Sequence, residues 1–214
     1  YVKRENIKTY IYLSQDVLNS SYSDEYVGNL ENLIIFKNIT GFIIELDKTK
    51  SNHERVELFN NLLMRIDKYE SLDMINILES LSNRKIAEQI PEEIESQFAS
   101  TILNKMQQHK SNIKQFDVNG VIYYIDITEQ YNYYSDIINE YVNTLTLDNL
   151  EYTKNLLSAI CLNNNLILDT SLLDAFLVDL YNNDSDVVLH IINQINNNQK
   201  SLEKYFSGEI FEKV

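Results

Sequence analysis

One proline, Pro91, and four glycines are spread over 214 residues, so this chain carries very little that interrupts a helix or folds a tight turn. Those two residue types punctuate loops and supply the unusual backbone angles of hairpin turns. So small a supply excludes an all-β sandwich and a glycine-rich phosphate loop. What remains is a chain built mainly of helices, with room for a few short strands. Its 44% hydrophobic and 11% aromatic content suffices to bury a core and argues against intrinsic disorder. At 25.1 kDa it amounts to one fair-sized domain or two small ones.

Strand signals concentrate near the start. Residues 7–13 are rich in β-branched and aromatic side chains, and 32–36 and 41–46 flank a four-residue link in the manner of a hairpin. Helical periodicity follows. Ser51-Asn52-His53-Glu54 has the form of a capping box and leads into Val56, Phe59, Leu62, Leu63 and Ile66 at helical spacing. Leu72, Ile75, Leu78 and Leu81 predict a second helix. Pro91 with Glu92 and Glu93 predicts the first turn of a third, with Ile94, Phe98, Ile102 and Met106 on its buried side. Residues 116–127 then read as a hairpin, because Asn119-Gly120 suits a type I′ turn and β-branched residues flank it.

From Ser135 onward the pattern is helical, with Ser135, Thr146, Thr170 and Ser185 as expected N-caps. The apolar sets include Ile138, Tyr141 and Val142; Leu157, Ile160 and Cys161; Leu173, Leu177 and Leu180; and Val188, Ile191 and Ile195. The stretch 180–188 resembles the inter-helix turn of a HEAT-type repeat, which implies short stacked helical hairpins in this part; the period near 40 that such repeats keep is not found. The expected fold is therefore α+β and predominantly α-helical. A small antiparallel sheet with helices would occupy residues 1–130, and a helical bundle residues 131–214.

Charge narrows the functional classes. The chain has 18 Lys and Arg against 32 Asp and Glu, a net charge of −14. Only four residues are arginine, all within the first 84. Direct nucleic-acid binding is not expected, because that affinity rests on cations neutralising phosphates. No apolar run approaches the length of a membrane span, and no secretory signal is visible after Tyr1-Val2-Lys3-Arg4. A single cysteine, Cys161, fits a reducing compartment, so a cytoplasmic location is expected. A start at Tyr1 reads as a trimmed or partial chain. Twenty-seven asparagines suggest an AT-rich genome and leave the three Asn-x-Ser/Thr sites at Asn19, Asn38 and Asn183 without weight.

The asymmetry of that charge is the best functional clue. Between residues 115 and 199, twelve acids face one base, Lys154, which leaves a net −11. Solvated helices usually mix signs and gain from i,i+4 pairs, and here that support is nearly absent. Eight tyrosines crowd the same stretch, and tyrosine is enriched at interface cores. An acidic, tyrosine-rich surface would dock a basic protein by complementary potential. The expected contact residues are Asp136, Glu140, Tyr141, Asp148 and Glu151, followed by Asp174, Asp179, Asp184 and Asp186. A purely solubilising role is the plain alternative.

Chemistry is weakly signalled. His53, His109 and His190 are far apart, and one cysteine without paired ligands does not make a zinc site. Asn182, Asp184 and Asp186 are spaced like the start of a calcium loop, but Val187 and Asn193 stand where its Gly and Glu belong. Residues 41–48 resemble the metal-binding strand of restriction-type nucleases, with Asp47 in place of the lysine that follows its acid. That resemblance implies a metal-dependent hydrolase centred on Glu45 and Asp47. The leading expectation is a non-catalytic interaction module without a cofactor, either an inhibitor or immunity-type protein or an accessory subunit. The hydrolase is the alternative, and a self-associating structural protein the third possibility.

Overall fold

Ser51 opens the first complete helix as the capping box requires. Its hydroxyl accepts from Glu54 N, and the Glu54 carboxylate accepts from Ser51 N at 3.3 Å. The computed structural model describes residues 39, 42–43, 46–47, 51–67 and 71–198. Among these, nine α-helices follow in order: α1 (Asn52–Ile66), α2 (Ser71–Leu81), α3 (Arg84–Ala87), α4 (Glu95–Gln108), α5 (Val118–Thr128), α6 (Ser135–Asn143), α7 (Leu150–Cys161), α8 (Thr170–Asn183) and α9 (Ser185–Asn197). A 3₁₀ turn, Lys110–Gln115, joins α4 to α5.

The described residues contain no strand, so the α+β expectation with its antiparallel sheet is corrected to an all-helical architecture. The proposed strands at 7–13 and 32–36 lie outside the described residues. For 41–46 the described positions are helical, and Ile39, Phe42 and Leu46 are buried at i, i+3 and i+7, which is helix spacing. The hairpin at 116–127 is helix α5. Its local signals fit either state: Val118, Val121, Ile122 and Ile125 also form an i, i+3, i+4, i+7 stripe.

Tertiary contacts decide the matter. Asp117 caps α5, its carboxylate accepting from Asn119 N at 3.1 Å, and the same carboxylate accepts from Arg84 N at the start of α3. Gly120 is needed for close approach rather than for a turn. A Cβ there would sit 1.7 Å from the Ser82 carbonyl oxygen, so only glycine lets α5 lie against the link before α3.

α5 is the centre of the bundle, packed against α3, α4 and α7. An aromatic run crosses the core toward it. Phe42 meets Phe59 edge-on at 5.1 Å, Phe59 meets Phe98 at 5.0 Å, and Phe98 lies 6.3 Å from Tyr124 of α5. Two buried tyrosines then tie separate segments together. Tyr124 donates to the Leu81 carbonyl at 2.7 Å, satisfying an acceptor left open at the end of α2. Tyr141 of α6 donates to the Phe116 carbonyl at 2.9 Å.

The C-terminal helices form on the expected apolar sets. Leu173, Leu177 and Leu180 of α8 and Val188, Ile191 and Ile195 of α9 are buried, and the two helices pack against each other. α9 also lies along α7, where Ser158 Oγ donates to Gln194 Oε1 at 2.7 Å. Helix starts fall near the expected caps but not on them. Asp169 caps α8 and Asp184 caps α9, each one residue before the expected Thr170 and Ser185. Asn149 replaces Thr146 for α7, and Tyr134 stands before α6 without a side-chain capping bond. α4 begins at Glu95, after a turn through Pro91–Ile94. The buried cluster includes side chains from both sides of residue 130.

Candidate functional site

Two surface features stand out, an outer acidic stripe and an asparagine-rich cleft. The stripe follows from helical geometry. With their apolar faces turned inward, α8 and α9 each present residues three and seven apart to solvent: Leu172, Ala175 and Asp179 on α8, and Asp186, Leu189 and Asn193 on α9. Both stripes thus combine an acid with a leucine. Leu172 is 42% exposed and Leu189 36%, and Leu147 and Ile167 are exposed in the links on either side of α7.

The nine expected contact residues separate into distinct roles. Asp148, Glu151, Asp179 and Asp186 are exposed, and no salt bridge engages them among the described residues. Glu140 and Asp174 are half-buried. Asp136 lies 3.7 Å from Lys110 Nζ, so its charge is locally offset. Asp184 serves α9 as its N-cap, accepting from Val187 N. Tyr141 does not belong to any surface: it is 1% exposed, and burial holds its hydroxyl well above the ordinary tyrosine range, with the nearby Asp117 charge acting in the same direction. It is a core residue, and the apolar i, i+3, i+4 company of Ile138 and Val142 was the signal for that.

The same division applies to other acids of the stretch. Asp117 and Asp169 are helix caps, and hydrogen bonds from Ser171 hold the Asp169 carboxyl below its ordinary pKa. Asparagines, not noticed from the sequence as a site, do come together. Asn119 of α5 and Asn163, Asn164 and Asn165 after α7 line a cleft of about 640 Å³ floored by Ile122, Ala159 and Leu162. Asp126 in its wall accepts from Asn163 Nδ2 at 3.1 and 3.2 Å and from the Tyr131 hydroxyl at 3.1 Å. Asn165 Nδ2 donates to that hydroxyl at 3.2 Å, and Asn165 N to Asn163 Oδ1 at 3.0 Å.

A second hollow of about 540 Å³ adjoins it, sharing Tyr131, Asn164 and Asn165 and continuing past Glu129, Tyr133 and Ile167. Tyr133 is 59% exposed there. Glu129, the C-cap of α5, has φ 54°, the one left-handed non-glycine among the described residues. Such strain persists only where the surroundings demand it. Arg84 also lines the cleft, its Nε donating to Glu88 at 2.7 Å.

No group of three or more His, Cys, Asp or Glu able to hold a metal occurs among the described residues. Glu45 lies outside the described residues, and Asp47 is exposed in a helical stretch rather than at a strand end. His53 is an exposed i,i+4 neighbour of Glu57, His109 closes α4, and Cys161 is buried. No described helix is long and apolar enough to cross a membrane. No family model, curated protein or solved structure matches the chain.

Proposed function

We propose that the chain is a non-catalytic interaction module that docks a basic protein on the outer acidic stripe of α8 and α9. The observation that carries this reading is the pairing of exposed leucines, Leu172 and Leu189, with acids that no described cation offsets, Asp179 and Asp186. Apolar side chains at the middle of such a patch supply affinity, and the surrounding charge steers the encounter and selects against acidic partners. Asp148 and Glu151 at the start of α7 are likewise exposed and without a salt bridge among the described residues. An inhibitor covering a cationic site and an accessory subunit of an assembly are both roles of this kind.

The test is capture from the source lysate with mass-spectrometric identification, at about 50 and about 500 mM salt, using wild type and Asp179→Lys/Asp186→Lys side by side. A basic protein held by wild type at low salt, released at high salt and not held by the variant is the expected result. Equal retention of the same protein by the variant would overturn the reading.

A further inference from the structure

We propose that the hollow between the turn after α5 and the link before α8 is a second binding site, and that it takes one alkyl-linked cation, the end of a lysine or arginine side chain. Glu129 carries the argument. A left-handed residue ends many helices, and there it is usually glycine, because a Cβ makes that angle unfavourable. Glu129 adopts it at φ 54°. Its side chain gives the fold nothing in return: the carboxylate is exposed and makes no hydrogen bond or ion pair among the described residues. Strain of this kind gathers where a group is held ready for a ligand.

The rest of the lining sets that ligand's chemistry. No cation lines the hollow, so the Glu129 charge is unmet there. Tyr133 is exposed, and an edge-on contact at 4.8 Å with the buried Tyr134 fixes its ring. Tyr131 is fixed as well, its hydroxyl donating to Asp126 and accepting from Asn165 Nδ2. Burial first, then the Asp126 and Glu129 charges, raise the pKa of that hydroxyl, so the negative field reaches this wall. Aromatic rings beside a carboxylate attract a cation, and the exposed Ile167 gives its alkyl stem an apolar surface to lie along. Asp126 already accepts from Asn163 and Tyr131, which leaves one acid, and hence a place for one charge rather than two.

This site does not depend on the α8–α9 stripe, and either can fail alone. The direct experiment is titration of isotope-labelled full chain with Nα-acetyl-lysine methylamide and with its arginine counterpart, read by NMR at about 50 mM salt. Saturable shifts at Tyr133 and Ile167 are expected, absent with the norleucine counterpart, which has a stem but no charge, and retained in Asp179→Lys/Asp186→Lys. Glu129→Gln should weaken the probe about fivefold and Tyr133→Leu about threefold, as for a partly exposed ion pair and a cation–π contact. Glu129→Gly should abolish the shifts without lowering the melting point. Five results would each overturn the proposal: no saturable shift from either basic probe; equal shifts from norleucine; unchanged affinity in Glu129→Gln; a lower melting point in Glu129→Gly, which would give the side chain a structural duty; or binding of 1,4-diaminobutane more than about tenfold tighter than either probe, which would make a free diamine the ligand.

Discussion

Helix α5 and the α8–α9 pair meet their surroundings in opposite ways. α5 is enclosed by α3, α4 and α7, and its residues serve other segments: its cap Asp117 also accepts from Arg84 N at the start of α3, Gly120 admits the Ser82 carbonyl, and Tyr124 closes the end of α2. α8 and α9 bury one face each and leave the other to water. The fold therefore depends on side-chain identity around α5 and only on side-chain polarity along the outer stripe. Residues free of structural duty are the ones a surface can devote to a partner.

The largest effect that would sharpen this contrast belongs to Gly120→Ala. Its new Cβ has backbone, not a flexible side chain, in its way, so a loss of about 3 kcal/mol is expected, the upper part of the over-packing range. Chemical denaturation checks it, and a loss under about 1 kcal/mol would mean that α5 can shift away from the 82–84 link. Tyr124→Phe should cost about 1–3 kcal/mol by leaving the Leu81 carbonyl buried without its donor.

The two buried tyrosines also set an alkaline limit. Burial raises the hydroxyl pKa of Tyr124 and of Tyr141 above the ordinary value of 10.0. Both must stay protonated in the folded chain, whereas the unfolded chain releases these protons as pH passes 10. Their contribution is therefore full below pH 10 and declines above it. Stability measured from pH 9 to 11 should fall less steeply in Tyr141→Phe than in wild type; identical slopes would show that the Tyr141 site is open to water.

Part of this arrangement was legible in residue order. The capping box at Ser51, the apolar sets of α1, α4, α8 and α9, and the burial of Cys161 follow from spacing alone. α5 was not legible, because Asn119-Gly120 among β-branched residues satisfies a local rule for hairpins, and the reason for that glycine lies 38 residues away at Ser82. The cap positions were missed by one residue at Thr170 and Ser185, since an aspartate, an equally good or better cap, precedes each and accepts from a first-turn N–H. The acidity of 115–199 was visible, but not that Asp117, Asp169 and Asp184 are engaged as caps. The cleft was invisible, because Asn119 and Asn163 meet only through the packing of α5 on α7.

Smaller effects probe the margins. Glu129→Gly should stabilise the chain by up to about 1 kcal/mol, since glycine adopts the left-handed angle without a steric cost. A loss instead would assign the Glu129 side chain a structural role. The smallest change in stability is expected from Asp179→Lys/Asp186→Lys, within about 0.5 kcal/mol for each exposed position.

That same variant provides the most direct measurement of the division between an inner helix that holds the fold and an outer stripe that meets a partner. Thermal melting and low-salt capture should be run on one preparation of wild type and of the reversal. A melting point that barely moves, with loss of the salt-sensitive basic partner, is the expected result. A collapsed melting point, or a partner retained as well as before, would contradict it.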